Sequence, residues 1–271
     1  MTGRMLAILR AWRFTALFTV CAVLAGCATG PNPVDPYESL NRKVFKFNDA
    51  LDNAITKPVA KGYKEITPVP IRSGVTNFFG NFLDVQTALN ELFQAKVSRA
   101  ASDAGRVLIN STIGFFGVFD VATRLGLEKH NEDFGQTLAV WGWKKSNYLV
   151  LPFFGPSTTR DGVGLIGDYF TDPEFWLFNN PPGNWLVLGL RIVNTRSNLL
   201  GADQFFDTAA VDRYAFLRDG YLQLRRNQIY DGNPPSDDTS GAPHRKTLEE
   251  QEKELDLDEP APGPAKPEPP K

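Results

Sequence analysis

The clearest chemistry in this chain belongs to four residues, Leu24-Ala25-Gly26-Cys27. They close an uncharged run, Phe14 to Ala25, that follows Arg4, Arg10 and Arg13. A spanning helix needs about 20 apolar residues, and this run is shorter. A basic flank, a short apolar core and small residues before a cleavage point make a secretory signal. A cysteine directly after the small residues makes it a lipoprotein signal. The Cys27 thiol then takes a diacylglycerol, and cleavage frees its amine for a third acyl chain. Each buried methylene contributes roughly 0.8 kcal/mol, so two or three long chains hold a protein at a membrane surface. The expected organisation is a signal peptide over residues 1–26 and a lipidated tether over 27–34, carrying Gly30, Pro31 and Pro33.

The remaining catalytic inventory is thin. Of the two histidines, His244 falls in the C-terminal tail, so a nucleophile with a histidine base would have to use His130. Ser157 sits in Gly155-Pro156-Ser157, which lacks the Gly-x-Ser-x-Gly elbow that exposes a hydrolase serine. Asp161 and Asp168 lie two helical turns apart and read as a cap and a solvated acid. Gly162, Gly164 and Gly167 form no phosphate-binding loop, because no strand clearly feeds them and no Lys-Ser follows. With no cysteine beyond Cys27 and one body histidine, neither a metal site nor a cofactor is expected.

Charge narrows the function further. Without residues 1–26 the chain keeps 26 basic side chains against 31 acidic ones, a net charge of −5. Nucleic acid is held through phosphate contacts on a basic face, so no nucleic-acid partner is expected. Cys21 leaves with the signal and Cys27 is acylated, which excludes a disulfide within the mature monomer. Stability must come from burial, and the 20 phenylalanines supply apolar surface to place.

The elements that must position these residues read as helices. Asp35-Pro36-Tyr37-Glu38 is a start signal, with Asp35 as N-cap, proline in the first turn and glutamate three residues after the cap. Leu40, Val44, Phe47, Leu51 and Ile55 follow at helical spacing, until Pro58 interrupts them. Val75, Phe78, Phe79, Phe82 and Leu83 line one side of the next helix, and Asp84 is placed to cap another. Ser98 begins a further helix. Asp133 to Trp141 is a short one, and Tyr148–Pro156 is extended and apolar. Ser157 or Thr159 caps the helix through Tyr169. Asn184 to Asn198 is amphipathic, with Trp185, Leu188, Ile192 and Leu199. The longest helix is expected from about Asp207 to Tyr230, with Val211, Tyr214, Leu217 or Phe216, Tyr221 and Leu224 facing inward. The fold class is therefore mainly α, in one domain over residues 35–230. Residues 231–271 form an acidic, proline-rich tail that cannot bury enough surface to offset its ordering entropy and is expected to be disordered.

Several signals concern membranes. Phe78, Phe79 and Phe82 suit either the core or acyl chains. So does the glycine-broken run Ile113-Gly114-Phe115-Phe116-Gly117-Val118-Phe119, read as a helix apolar all round. Lys57, Lys61 and Lys64, with Tyr63 beside them, share a helical face and suit either solvent or a headgroup boundary. Trp141 and Trp143, next to Lys144 and Lys145, repeat the mixture.

The sequence also resembles the VacJ, or MlaA, lipoproteins. The resemblance rests on Asp35-Pro36-Tyr37-Glu38-Ser39-Leu40-Asn41-Arg42 with Phe45-Lys46-Phe47-Asn48, and on Asn77-Phe78-Phe79-Gly80-Asn81. It continues through Arg106-Val107-Leu108-Ile109-Asn110-Ser111-Thr112-Ile113-Gly114, Phe119-Asp120-Val121-Ala122 and Asp133-Phe134-Gly135-Gln136-Thr137-Leu138. Leu151-Pro152-Phe153-Phe154-Gly155-Pro156-Ser157-Thr158-Thr159-Arg160-Asp161 completes it. The resemblance implies an outer-membrane lipoprotein whose amphipathic helices form a ring in the periplasmic leaflet around a polar channel. It implies removal of mislocalised glycerophospholipid from the outer leaflet, delivery to a periplasmic phospholipid carrier, and association with trimeric porins. It also implies a gating hairpin, expected within about Arg106–Leu151 with Gly142 as the hinge. Ala28 after the lipidated cysteine is compatible with outer-membrane sorting. No enzymatic step is expected. The alternatives are a structural or assembly lipoprotein that stabilises porins without moving lipid, and a lipid hydrolase using His130 or Ser157.

Overall fold

Helices dominate this computed structural model, which describes residues 32, 34–178, 180–209 and 212–235. The signal peptide, Cys27, most of the tether and the tail from residue 236 lie outside the described residues.

The first helix, α1 (Glu38–Leu51), starts near its sequence signal but without the expected side-chain cap. Asp35 offers its backbone carbonyl to the Glu38 N–H at 3.2 Å. Its fully buried carboxylate accepts instead from Asn41 Nδ2 at 2.8 Å and from the Tyr214 hydroxyl of the last helix. Nor does Pro58 break the helical course. Proline has no N–H to donate, and its ring crowds the carbonyl four residues back. A π turn over Asp52–Thr56 absorbs this, with the Lys57 N–H reaching back five residues to the Asp52 carbonyl, and α2 (Lys57–Ile66) follows at once.

Pro68 and Pro70 bracket the start of α3 (Val69–Phe93), which runs unbroken for 25 residues. Asp84, expected to cap a new helix, lies buried in its middle. The chain turns at Gln94–Lys96 and α4 (Val97–Thr112) packs back along α3. Residues 113–119 are successive turns, not the expected apolar helix. Gly114 explains part of this, since a Cβ there would stand 2.2 Å from the Phe119 carbonyl oxygen. Phe115, Phe116 and Gly117 all adopt positive φ (52°, 57° and 85°), which no helix allows.

Beyond this, α5 (Val121–Arg124) is capped by Asp120 and α6 (Phe134–Val140) by Asp133, as its sequence predicts. The extended segment forms a two-stranded antiparallel hairpin, β1 (Tyr148–Leu151) with β2 (Gly155–Thr158), in which Tyr148 faces Thr158 and Leu151 faces Gly155. Thr158, rather than Ser157 or Thr159, caps α7 (Thr159–Thr171). Short α8 (Pro173–Leu177) leads to α9 (Gly183–Ala209), which continues well past Asn198. The long helix expected from Asp207 begins only at Arg213 as α10 (Arg213–Ile229), because Asp212 caps it by accepting from the Tyr214 and Ala215 N–H groups.

The packing closes into a circuit. α1 lies on β1, β2 on α10, α10 on α6, α6 on α3, α3 on α9 and α9 on α2, which returns to α1 through the π turn. At the α6–α7 contact the backbones approach so closely that a Cβ on Gly164 would lie 2.6 Å from the Gly135 nitrogen.

What these elements bury is the reverse of an ordinary core. The buried apolar residues are few and mostly small: Ala60, Ala88, Ala100, Ala122 and Ala139, with Phe79 and a cluster of Tyr148, Val150 and Tyr214. The largest fully buried side chains are headed by Arg106 and Arg160 and include Gln136, Glu91, Asn41 and Asn90. In α4 the inward positions are Ala100, Asp103, Arg106 and Asn110. Phe47, Ile55, Trp185, Leu188, Ile192, Leu199, Phe216 and Leu224 are all exposed, so on α10 Tyr214 turns inward as expected and Tyr221 packs against it, while Phe216 and Leu224 look out. Val211 lies outside the described residues.

Candidate functional site

Buried charges survive only when paired and hydrogen-bonded, and the interior meets this condition at two arginine centres. At the first, Arg106 Nε donates to Asp84 at 3.2 Å and Nη1 to Thr123 Oγ1 and the Leu127 carbonyl at 3.0 and 2.7 Å. Its Nη2 reaches both oxygens of Asp120 at 3.3 Å. Burial alone would raise the Asp120 pKa. Hydrogen bonds from Thr123 and Asn110 and the charge of Arg106 outweigh it and hold the carboxyl at about 2. This centre joins α3, α4 and α5.

The second centre joins α6, α7 and α10. Arg225 grips Asp133 through two parallel bonds of 2.6 Å and reaches Asp161 at 3.0 and 2.8 Å. Arg160 donates to the same Asp161 at 3.0 and 2.8 Å, and the Tyr221 hydroxyl adds a bond of 2.9 Å. Burial opposes ionisation of Asp161, but the two guanidinium groups hold it at about 2. Asp161 is therefore a buried hub and not a helix cap, a place Thr158 takes. Asp168 is different again. It accepts from the Phe134 N–H at 2.8 Å and from Gln86 at 2.5 Å, yet burial and the nearby Asp133 push it up to about 6.

One cavity stands apart from these saturated centres. It measures about 270 Å³ and is lined by Val69, Arg72, Ser73, Thr76, Asn77 and Asn198, from the first turns of α3 and the middle of α9. Arg72 Nε donates to the Thr67 carbonyl at 3.2 Å. No carboxylate lies within ion-pair distance of Arg72 among the described residues. The polar wall is fixed by its own bonds: Asn194 and Asn198 each donate to Thr76 Oγ1, at 2.8 and 3.1 Å, and the Tyr63 hydroxyl donates to Asn194 at 3.0 Å. Asn77 donates to the Val118 carbonyl at 3.0 Å, bringing the apolar 113–119 turns beside the cavity. Sequence reading missed this site, because its residues come from two helices more than a hundred positions apart and match no motif.

Around this polar interior the outward surface is apolar. Ile113, Phe115, Phe116 and Phe119 are 56–70% exposed. Phe79 differs, being only 6% exposed, and Phe78 and Phe82 are half-buried in one stack of rings with Phe79 and Phe178. Trp176, Leu177, Trp185 and Leu186 extend the apolar surface along α8 and α9. No helix among the described residues is long and apolar enough to cross a membrane. Of the three lysines, Lys61 and Lys64 are exposed, while Lys57 is drawn into an ion pair with Asp203 at 2.9 Å. Trp141 and Trp143 are both exposed. Gly142 between them has φ of +116°, and the Trp143 N–H returns to the Leu138 carbonyl at 2.9 Å. That is the geometry of a glycine ending a helix, here α6.

The candidate catalytic residues do not assemble. Ser157 is buried and donates to the Thr158 carbonyl. His130 instead meets Asp103, Nδ1 to Oδ2 at 2.7 Å, with Glu91 at 3.8 Å. Asp231, first residue of the expected tail, bridges Lys96 and Arg99 at 2.7 and 2.5 Å.

Comparison with known proteins agrees with this architecture. The family model "MlaA lipoprotein" matches residues 33–228. The Intermembrane phospholipid transport system lipoprotein MlaA of Escherichia coli (strain K12) is 31% identical over 220 residues, covering 78% of this chain and 86% of the relative. Its counterpart of the same name in Haemophilus influenzae is 28% identical over 228 residues, 80% and 90% of the two chains. An uncharacterised protein of Rickettsia prowazekii (strain Madrid E) is 34% identical over 196 residues, 72% and 78%. A solved structure described as "Structural basis for maintenance of bacterial outer membrane lipid asymmetry" superposes with a TM-score of 0.61 at 29% identity, covering 73% of this chain and 99% of its own. With a family model spanning its helical body and relatives above 30% identity, this chain belongs to the MlaA lipoprotein family.

Proposed function

We propose that this protein is a non-enzymatic phospholipid conduit of the outer membrane. Its acylated Cys27 and apolar outer surface rest in the hydrocarbon of the periplasmic leaflet. Glycerophospholipid headgroups pass along the polar inner wall, toward a soluble periplasmic phospholipid carrier, with a trimeric porin alongside. The observation that carries this reading is the inverted burial: arginines, carboxylates and amides inside, phenylalanine, leucine and tryptophan outside. In water such a surface would be costly, at roughly 25 cal/mol per Å² of apolar area. In hydrocarbon it costs nothing, and the helices keep their own backbone groups satisfied, as lipid demands.

Moving a phospholipid means moving a phosphate past acyl chains, and an unpaired ion there costs several kcal/mol or more. The cavity at Arg72 answers that problem. A guanidinium presents a fork of donors that matches two phosphate oxygens, and Ser73, Thr76, Asn77 and Asn198 supply further polar contacts. The adjacent turns at Ile113–Phe119 keep the tails in an apolar setting. No covalent step is required, which suits a histidine and serine that never meet.

The test is reconstitution. Vesicles carrying the acylated protein and a fluorescent phospholipid are mixed with a soluble phospholipid carrier, and transfer is followed. Transfer should require the protein, and Arg72→Glu should slow it at least tenfold without changing the melting temperature in detergent. Equal transfer with and without the protein would leave a porin-stabilising role in its place.

A further inference from the structure

The cluster around His130 lies outside the conduit. Glu91 sits near the end of α3, Asp103 in the second turn of α4 and His130 in the segment leading to α6. Glu91 and Asp103 are fully buried, and the His130 side chain is 18% exposed, which leaves one path in from solvent. One ligand atom from each residue falls within 4.8 Å of the others. With a rise of 1.5 Å per residue, Glu91 is about 28 Å along α3 from Arg72. The two sites are therefore separate, and nothing here depends on the lipid-conduit reading.

The second observation is what the carboxylates lack. No N–H or hydroxyl group donates to either oxygen of Glu91 or to Oδ1 of Asp103; the two carboxyl groups face only each other there. At the two arginine centres Asp84, Asp120, Asp133 and Asp161 each receive bonds from guanidinium groups, which these carboxylate oxygens do not. The basic groups close by are already engaged. Arg106 Nε stands 3.7 Å from Asp103 but donates to Asp84, and Lys96 donates to Glu132 at 2.9 Å and to Asp231. Glu132, itself held by Lys96 and Gln94, adds a further negative charge beside Glu91.

We propose that Glu91, Asp103 and His130 form a binding site for a divalent transition-metal ion, of which Zn²⁺ is the best fit. An imidazole nitrogen with two carboxylate oxygens is a donor set that zinc accepts. Calcium takes six to eight oxygens, and magnesium favours an octahedral oxygen shell rich in water. Bond lengths of about 2.0–2.2 Å to nitrogen and oxygen place tetrahedral ligand atoms about 3.3–3.5 Å apart. The distances from His130 Nδ1, 2.7 Å to Asp103 and 3.8 Å to Glu91, fall on either side of that value. Small adjustments of these two distances set His130 Nδ1 against both carboxylates, and all three ligand atoms already lie within 4.8 Å of one another, with water from the exposed edge of His130 as fourth ligand. Arg106, 3.7 Å from Asp103, is the nearest outer group of opposite charge to the ligands. The ion pins α3, α4 and the segment before α6 at one point.

The experiment uses the full acylated chain in detergent, stripped with a chelator and titrated with ZnCl₂ by calorimetry. The metal content after desalting is measured by mass spectrometry. One equivalent of zinc should bind and raise the melting temperature, and the chelator should reverse the rise. Glu91→Gln and His130→Ala should each weaken binding at least tenfold with unchanged far-ultraviolet circular dichroism. Should either variant fail to fold, Co²⁺ in the wild-type chain decides. A visible band of tetrahedral character at one equivalent supports the site, and the absence of any band overturns it. Zinc content well below one equivalent in the folded wild type overturns the proposal, and so does binding by both variants at wild-type strength. In those cases Glu91 holds a proton shared with Asp103 where the metal was expected.

Discussion

Arg225 and Arg72 show two ways of placing a guanidinium in one protein. Arg225 is buried, grips two aspartates through four short bonds and shares one of them with Arg160 and Tyr221. Arg72 is half-buried at the rim of a cavity, bonded to one backbone carbonyl. The first arrangement leaves nothing for a ligand to complete, so its role is to hold α6, α7 and α10 together. The second leaves a guanidinium with no carboxylate partner beside a cavity lined by hydroxyl and amide groups. Saturation separates the arginines that hold the structure from Arg72, which lines the cavity without a carboxylate partner.

The largest way to break this contrast is to remove a saturated arginine. Arg225→Ala leaves the buried Asp161 and the half-buried Asp133 short of partners, and breaking a buried pair typically costs about 3–5 kcal/mol. The chain should melt many degrees lower or fail to fold, read by circular dichroism in detergent. Asp168 offers a subtler probe of the same centre. Its carboxyl titrates near 6 in the fold, above the unfolded value, so its protonated form favours folding. Stability should be greatest below about pH 4 as far as this group is concerned, and should fall as the pH rises through 6. Asp168→Asn should abolish that slope and stabilise the protein at pH 7.5 by up to about 3 kcal/mol relative to wild type. An unchanged difference between pH 4.5 and pH 7.5 would remove Asp168 from this account.

On the outer surface, Phe116→Ser should lower vesicle partitioning of a non-acylated chain by about 2 kcal/mol, the worth of one buried aromatic, with the fold intact. At the cavity, Arg72→Lys keeps the charge but loses the fork. Lipid transfer should fall roughly tenfold, about 1.4 kcal/mol, less than with Arg72→Glu. Full activity in the lysine variant would show that charge alone suffices there. The smallest effect expected is from Gly142→Ala, about 1 kcal/mol of stability lost to the positive φ. Should transfer fall much further than stability in that variant, Gly142 is a hinge as well as a helix end.

Much of the helical order was legible in the residues, because caps and prolines act locally. Asp133 announces α6, and Tyr148–Pro156 announces an extended segment. What failed was the direction of the faces. Periodicity locates an apolar stripe but does not say whether protein or hydrocarbon covers it, so Leu224 and Phe216 read as inward and stand exposed. Asp84 read as a cap because helix interiors seldom hold an aspartate, and only the spatial return of Arg106 explains it. The resemblance to MlaA lipoproteins supplied the polar interior that composition alone could not. Neither route found the cavity at Arg72, where α3 and α9 meet, or the Glu91–Asp103–His130 cluster, assembled from three segments.

The widened turn at Asp52–Thr56 carries a mechanical consequence. It inserts one residue into an otherwise regular spiral, and each residue of an α-helix advances the azimuth by about 100°. Everything downstream, Ala60 packed inward and Val59 and Ile66 outward, is thus clocked by that single extra step. From α9, Arg196 clasps Asp52 at the start of the step at 2.8 Å, and Asp203, itself paired with Arg196, takes Lys57 just beyond it. The clasp sets the phase of the whole rod, so shortening the chain by one residue here would swing its greasy flank through roughly a quarter of a revolution without deleting a single contact-forming group.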